Sequence, residues 1–184
     1  VIIEPTPIAG AYVFSLKPIA DERGFFARSY CEKTIANAGI EPLVLNQQNV
    51  SFNKHKGTLR GLHFQLAPQE EIKLVRCTKG AVWDVIVDLR PQSKTYLKWH
   101  GITLKWNEYK TFYIPRGCAH GFLTLTDDAE LFYQLSVPFV PELYRSLVWN
   151  EPRIGIEWPE KPLLISEKDA AAPGLEVIEK QLTT

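Results

Sequence analysis

Apolar and polar residues alternate along most of this chain in short runs, the two-residue period of strands with one buried face. Segments 12–16, 25–30, 43–51, 58–65, 72–79, 81–88, 98–103, 110–114, 121–126, 130–137 and 146–150 read as strands, rich in Val, Ile, Leu and aromatics. Turn signals such as Lys79-Gly80 and Arg116-Gly117 punctuate them. The spacing predicts one short helix over 32–38, stopped at Gly39. Many brief strands at regular intervals imply an all-β sandwich or barrel with a few short helices, and the jelly roll leads that set. The tail over 158–169 carries Pro159 and Pro162, yet Leu163, Leu164 and Ile165 are apolar enough to pack back on the body. The last stretch, 174–182, reads as a short helix or a loose end.

Composition narrows the partners. At 184 residues, a single domain over 1–184 with a real core is the default. Twenty-one basic residues balance 21 acidic ones, so no overall field favours nucleic acid or an anionic membrane. A small anionic ligand then needs a local cluster of arginine and lysine. Cys31, Cys77 and Cys118 are odd in number and lack CxxC spacing, which argues against a disulfide framework or structural zinc and fits a reducing cytoplasm. The apolar segments are too short to span a bilayer, and Val1-Ile2-Ile3-Glu4-Pro5 lacks the features of a signal peptide. Position 1 is not methionine, so the initiator is expected to have been removed or left out of the numbering.

Candidate chemistry concentrates in GTLRGLHFQLAPQEEIKLVRC, residues 57–77. His63 sits in an apolar strand, either as a bonded structural residue or as a base. Strict alternation puts Arg60 and His63 on opposite faces; a bulge at Gly61 would bring them to one pocket. Lys73 lies between apolar neighbours, so it either guards a sheet edge or needs an anionic partner inside a pocket. PRGCAHGF, residues 115–122, opens another strand with His120. PxGxxH after an earlier GxH is the skeleton of cupin barrels. Metal-binding cupins read HxH followed by a glutamate, whereas this chain reads His63-Phe64-Gln65 with Glu70 or Glu71 after it, so a metal is not expected. Tyr133, in an alternating strand, is a packed aromatic unless it faces His63 across a cavity.

DERGFFARSY (21–30), NQQNVS (46–51), GTLRGLHFQ (57–65), KLVRCTKGAVWDVIVDLR (73–90), IPRGCAHGF (114–122) and ISEKDAAAPGL (165–175) stand in an order that resembles the dTDP-4-dehydrorhamnose 3,5-epimerase family. The resemblance spans nearly the whole chain. It implies a cupin jelly roll, a homodimer with strands exchanged between subunits, and no metal or organic cofactor. It also implies epimerisation beside the ketone of a nucleoside-diphosphate 4-keto-6-deoxy sugar, at carbon 3, carbon 5 or both, in deoxysugar synthesis for surface polysaccharides or antibiotics. On this resemblance His63 is the base, Asp169 its orienting carboxylate, Lys73 the cation facing the enolate oxygen and Tyr133 the acid. Histidine, with an ordinary pKa near ~6.5, suits that work at neutral pH. Arg23 and Arg60 match diphosphate-binding positions. Phe26, Gln47, Asn49, His120 and Lys168 match other substrate-pocket positions.

Four positions depart from the family pattern: Arg28, Gln48, Phe139 and Tyr144 stand where the family usually has Glu, Asp, Tyr and Glu. All four are expected around the substrate and nucleotide end. Their chemistry points to altered nucleotide or carbon specificity, with neutral drift as the alternative. The competing classes are a metal-dependent cupin oxygenase or isomerase and a barrel that binds a nucleotide sugar without catalysis.

Overall fold

The computed structural model describes residues 1–182. In chain order the strands are β1 (Ile2–Pro5), β2 (Tyr12–Ser15), β3 (Ile19–Asp21), β4 (Gly24–Phe26), β5 (Gln47–Asn53), β6 (Thr58–Gln65) and β7 (Lys73–Lys79). They continue as β8 (Ala81–Asp88), β9 (Trp99–Lys105), β10 (Thr111–Ile114), β11 (Cys118–Thr124), β12 (Ala129–Leu135), β13 (Tyr144–Ser146) and β14 (Leu164–Ile165). The helices are α1 (Glu32–Asn37), α2 (Glu167–Ala170) and α3 (Leu175–Leu182).

Two sheets face each other, as the jelly-roll expectation requires. The first runs β1-β2-β10-β7-β12-β5; the second runs β13-β6-β11-β8-β9, with β14 parallel to β6. Their inner faces meet in one core, with Val75, Phe112 and Leu131 from the first sheet and Val82, Ile86 and Phe122 from the second. The outer faces are covered too. Leu62, Phe64, Val85 and Val87 lie beneath Leu175 and Ile178 of α3, while Phe14, Leu74 and Tyr113 lie beneath Ile35 of α1. Burial on both faces explains why β8 reads as an almost unbroken apolar run. Leu175 and Ile178 have no exposed surface, so each contributes up to about 1.5–3 kcal/mol to holding the tail down.

Several boundaries differ from the alternation pattern. The strand read over 25–30 is only the second half of a β3–β4 hairpin that pairs with neither main sheet. The one over 43–51 begins at Gln47, because Leu43 turns away to pack with α1. The one over 146–150 is β13, ending at Ser146. The final stretch is helical, and the tail packs back through β14 and Trp158. No helix among the described residues is long and apolar enough to cross a membrane.

Candidate active site

At one end of the sandwich interior the apolar core gives way to a cavity of about 470 Å³. Inward positions of β6, β7, β11 and β12 supply Arg60, His63, Lys73, His120 and Tyr133 to its wall. Gln47 and Asn49 of β5, together with Glu71, Phe139 and Tyr144, complete much of the rest. This volume suits a small-molecule ligand.

The expected bulge in β6 is present. His120 of β11 pairs with His63, and Phe122 pairs with Arg60, so two steps on β11 oppose three on β6. The extra residue turns Arg60 and His63 toward the same cavity. Glycine is needed there: Gly61 has φ +123°, and a Cβ on it would stand 2.6 Å from Gly121 Cα. Arg60 is held by its Nε, which donates to Asn53 Oδ1 at 2.8 Å.

His63 Nε2 lies 2.7 Å from Asp169 Oδ1, and Asp169 Oδ2 accepts from Gly61 N–H at 3.2 Å. The peptide N–H of Asp169 donates to Ser166 Oγ at 3.1 Å, capping α2 and fixing the carboxylate. An ionised carboxylate only accepts, so Nε2 carries the proton and Nδ1 is left with the lone pair. Burial holds the imidazole below its ordinary 6.5, outweighing the opposing pull of Asp169. Asp169 is itself raised by burial, but its bond to His63, the imidazole charge and the Gly61 and Ser166 contacts leave it below the ordinary carboxylate value. The ring of Tyr144 packs 5.4 Å from that of His63, with Lys168 Nζ 4.7 Å above the phenol ring.

Lys73 is not an edge residue, since β7 runs between β10 and β12. Its anionic partner is Glu71, with Nζ 2.8 Å from Oε1; Nζ also donates to the His63 carbonyl at 3.1 Å. Tyr133 faces the cavity from the opposite sheet to His63. Burial first, then the nearby Asp84, pushes its phenol well above the ordinary value, so it stays protonated. Its ring stands edge-on to His120 at 5.8 Å, and His120 Nε2 is 2.9 Å from both oxygens of the fully buried Asp84.

Arg23, Phe26, Arg28 and Gln48 do not line this cavity. Arg23 and Phe26 sit on the β3–β4 hairpin, where Arg23 pairs with Asp21 and Phe26 is 76% exposed. Arg28 approaches Cys31, and Gln48 is exposed on β5. Of the four departures, only Phe139 and Tyr144 therefore reach the pocket of their own chain. Three supporting residues were missed: Asn53, Asp84 and the pairing role of Glu71. Asp84 did carry a signal, a charge inside Val82-Trp83-Asp84-Val85 with the same inward parity as Val82 and Ile86. Gln65, where metal-binding cupins place a histidine, is tied to backbone at Gln69, Pro138 and Val140. Among the described residues no three His, Cys, Asp or Glu side chains gather as a metal-ligating group.

A cavity with an oriented imidazole on one sheet and a protonated phenol on the other suits an isomerase that works by moving protons. Comparison with known proteins places the chain in that class. The family model for dTDP-4-dehydrorhamnose 3,5-epimerase matches residues 5–177, and the chain belongs to this family of epimerases. It is similar to the dTDP-4-dehydrorhamnose 3,5-epimerase of Salmonella typhimurium, 42% identical over 176 residues covering 95% of this chain and 96% of the relative. A Legionella pneumophila 3,5-epimerase solved with dTDP-4-keto-L-rhamnose superposes with TM-score 0.89 at 37% identity, covering 98% and 96% of the two chains. A 3'-monoepimerase of Streptomyces bikiniensis solved with dTDP-quinovose superposes with TM-score 0.86 at 32% identity, covering 97% and 90%.

Proposed function

We propose that this chain epimerises a dTDP-linked 4-keto-6-deoxy sugar by proton transfer through an enolate. The observation that carries the reading is that His63 and Tyr133 line one cavity from facing sheets, with Lys73 on the same wall system. His63 Nδ1 takes the proton from a carbon beside the ketone. Asp169 stabilises the imidazolium that forms. Lys73 Nζ faces the developing enolate oxygen, and Tyr133 returns a proton to the opposite face. Arg60, its guanidinium fork steadied by Asn53, binds diphosphate oxygens.

The reading extends to a homodimer. Ile19, Phe25 and Phe26 leave the β3–β4 hairpin apolar and exposed in one chain, while Arg23 and Phe26, both matched to substrate positions, sit away from its cavity. An exchanged hairpin resolves both facts by carrying them to the second copy's cavity. The three free thiols fit a reducing cytoplasm.

Incubation with dTDP-4-keto-6-deoxyglucose in D2O, followed by NMR, tests the chemistry. Deuterium is expected at carbons 3 and 5, with His63→Asn abolishing it while dTDP binding survives. Exchange at one carbon would assign a single epimerase, a result that the Tyr144 ring beside the base would favour by narrowing that wall. No exchange at either carbon would reject the reading.

A further inference from the structure

Glu71 precedes β7 and lines the cavity, yet its side chain is only 7% exposed. One oxygen, Oε1, holds Lys73 Nζ at 2.8 Å; the other, Oε2, is buried with no hydrogen-bond partner among the described residues. A buried carboxylate oxygen without a donor costs stability, and a buried ion pair is weak evidence for a purely structural purpose. The carboxylate's value therefore lies in what it does to the ammonium.

An ammonium has three donors on a flexible stem and no preferred direction of its own. Here Nζ donates one N–H to the His63 carbonyl at 3.1 Å and is held 2.8 Å from Glu71 Oε1 by the ion pair. One hydrogen bond and one ion pair fix the position of the ammonium, in a side chain that is only 10% exposed. The second anchor is the carbonyl of the base itself, so the two reacting groups share one frame.

We propose that Glu71 is the positioning residue for Lys73, clamping the ammonium so that it faces the substrate's ketone oxygen as that oxygen becomes an enolate. This rests on the assignment of Lys73 as the enolate-facing cation. The clamp works on the transition state, where the oxygen gains charge, and leaves binding of the nucleotide untouched.

A double-mutant cycle on the full chain tests it, with Glu71→Gln, Lys73→Gln and the double variant assayed for solvent deuterium exchange and for dTDP binding. Glu71→Gln should lower kcat by roughly 10–100-fold, with KM and dTDP affinity within about threefold of wild type. In the Lys73→Gln background the same change should cost at most about twofold more. A wild-type kcat in Glu71→Gln beside a slow Lys73→Gln would overturn the clamp, and so would full additivity of the two losses. A wild-type rate in Lys73→Gln would instead sink the assignment of Lys73 beneath it. Glu71→Asp guards against misfolding: it keeps the charge but retracts it by one methylene. It should bind dTDP normally and turn over at a rate between those of wild type and Glu71→Gln, whereas undiminished turnover would also overturn the clamp.

Discussion

Replacing Asp169 by Asn changes one atom's chemistry and tests the base most directly. Both carboxylate oxygens now accept, one from His63 Nε2–H at 2.7 Å and one from Gly61 N–H at 3.2 Å. An amide offers one acceptor and one donor group, so it cannot serve both neighbours. If its oxygen stays on Gly61, its NH2 faces Nε2 and forces the proton to Nδ1, which removes the lone pair needed by the substrate. If it flips, the native tautomer survives but NH2 confronts the buried Gly61 N–H, at about 1–3 kcal/mol for the unsatisfied donors. Either way the imidazolium loses a charge-assisted hydrogen bond, about 1.5–3 kcal/mol more. Together these amount to about 2.5–6 kcal/mol, or about 10²–10⁴-fold in kcat. The Ser166 cap uses the backbone of residue 169 and is retained, so the melting temperature should change little. The pH profile carries its own sign. On the proposed mechanism exchange needs neutral His63, which burial holds below 6.5, so the acid limb is expected under that value. Asp169 opposes that lowering, and its loss moves the limb further down in pH. Working at alkaline pH will therefore not rescue the variant. Exchange in Asp169→Asn within about threefold of wild type, or an acid limb displaced upward, would refute the dyad.

Gly61→Ala places a Cβ 2.6 Å from Gly121 Cα and 2.9 Å from the His120 carbonyl at φ +123°. Backbone strain and overpacking should cost about 2–6 kcal/mol, read as a lower urea midpoint; an unchanged midpoint would show that the bulge relaxes freely. The exchanged hairpin predicts that co-expressed His63→Asn and Arg23→Ala chains regain about one quarter of wild-type activity, through hybrids with one intact site; no regain would place Arg23 outside the partner's site.

Much of this architecture was legible because one face of nearly every strand is buried, and that imposes a period of two. Lys73 and Tyr133 share inward parity with Val75 and Leu131, which the core confirms. The β6 bulge was legible as a conflict: Arg60 and His63 could not both face inward unless Gly61 broke the alternation. The hairpin was not legible. Phe25 and Phe26 look like buried strand residues, but in one chain they are exposed, so their hydrophobicity reports on something outside the sheets. β14 was missed because two residues just after Pro162 carry no period, and its parallel pairing with β6 is set from far away in sequence. The Glu71–Lys73 pair escaped for a related reason. Residues two apart inside a strand share a face, but Glu71 lies before β7 begins, where alternation gives no direction.

That distant pairing has a consequence for the chemistry. Asp169 reaches His63 across 106 residues of sequence, so the imidazole acquires its orientation only when the tail docks. Three contacts secure the docking: β14 alongside Thr58 and Leu59, the Ser166 cap of α2, and the buried Leu175 and Ile178 of α3. None touches the cavity, yet each limits how far the carboxylate can stray from the imidazole. A hydrogen bond of 2.7 Å tolerates little displacement, so any loosening of this tail reaches His63 before it reaches the core. Asp169 also closes the β6 bulge by accepting from Gly61 N–H, a donor that the broken strand pairing leaves without a ladder partner. The same carboxylate thus satisfies the irregular strand that turns His63 inward and fixes the proton on that histidine. In this fold the defect in the sheet and the orientation of the imidazole share one counter-charge.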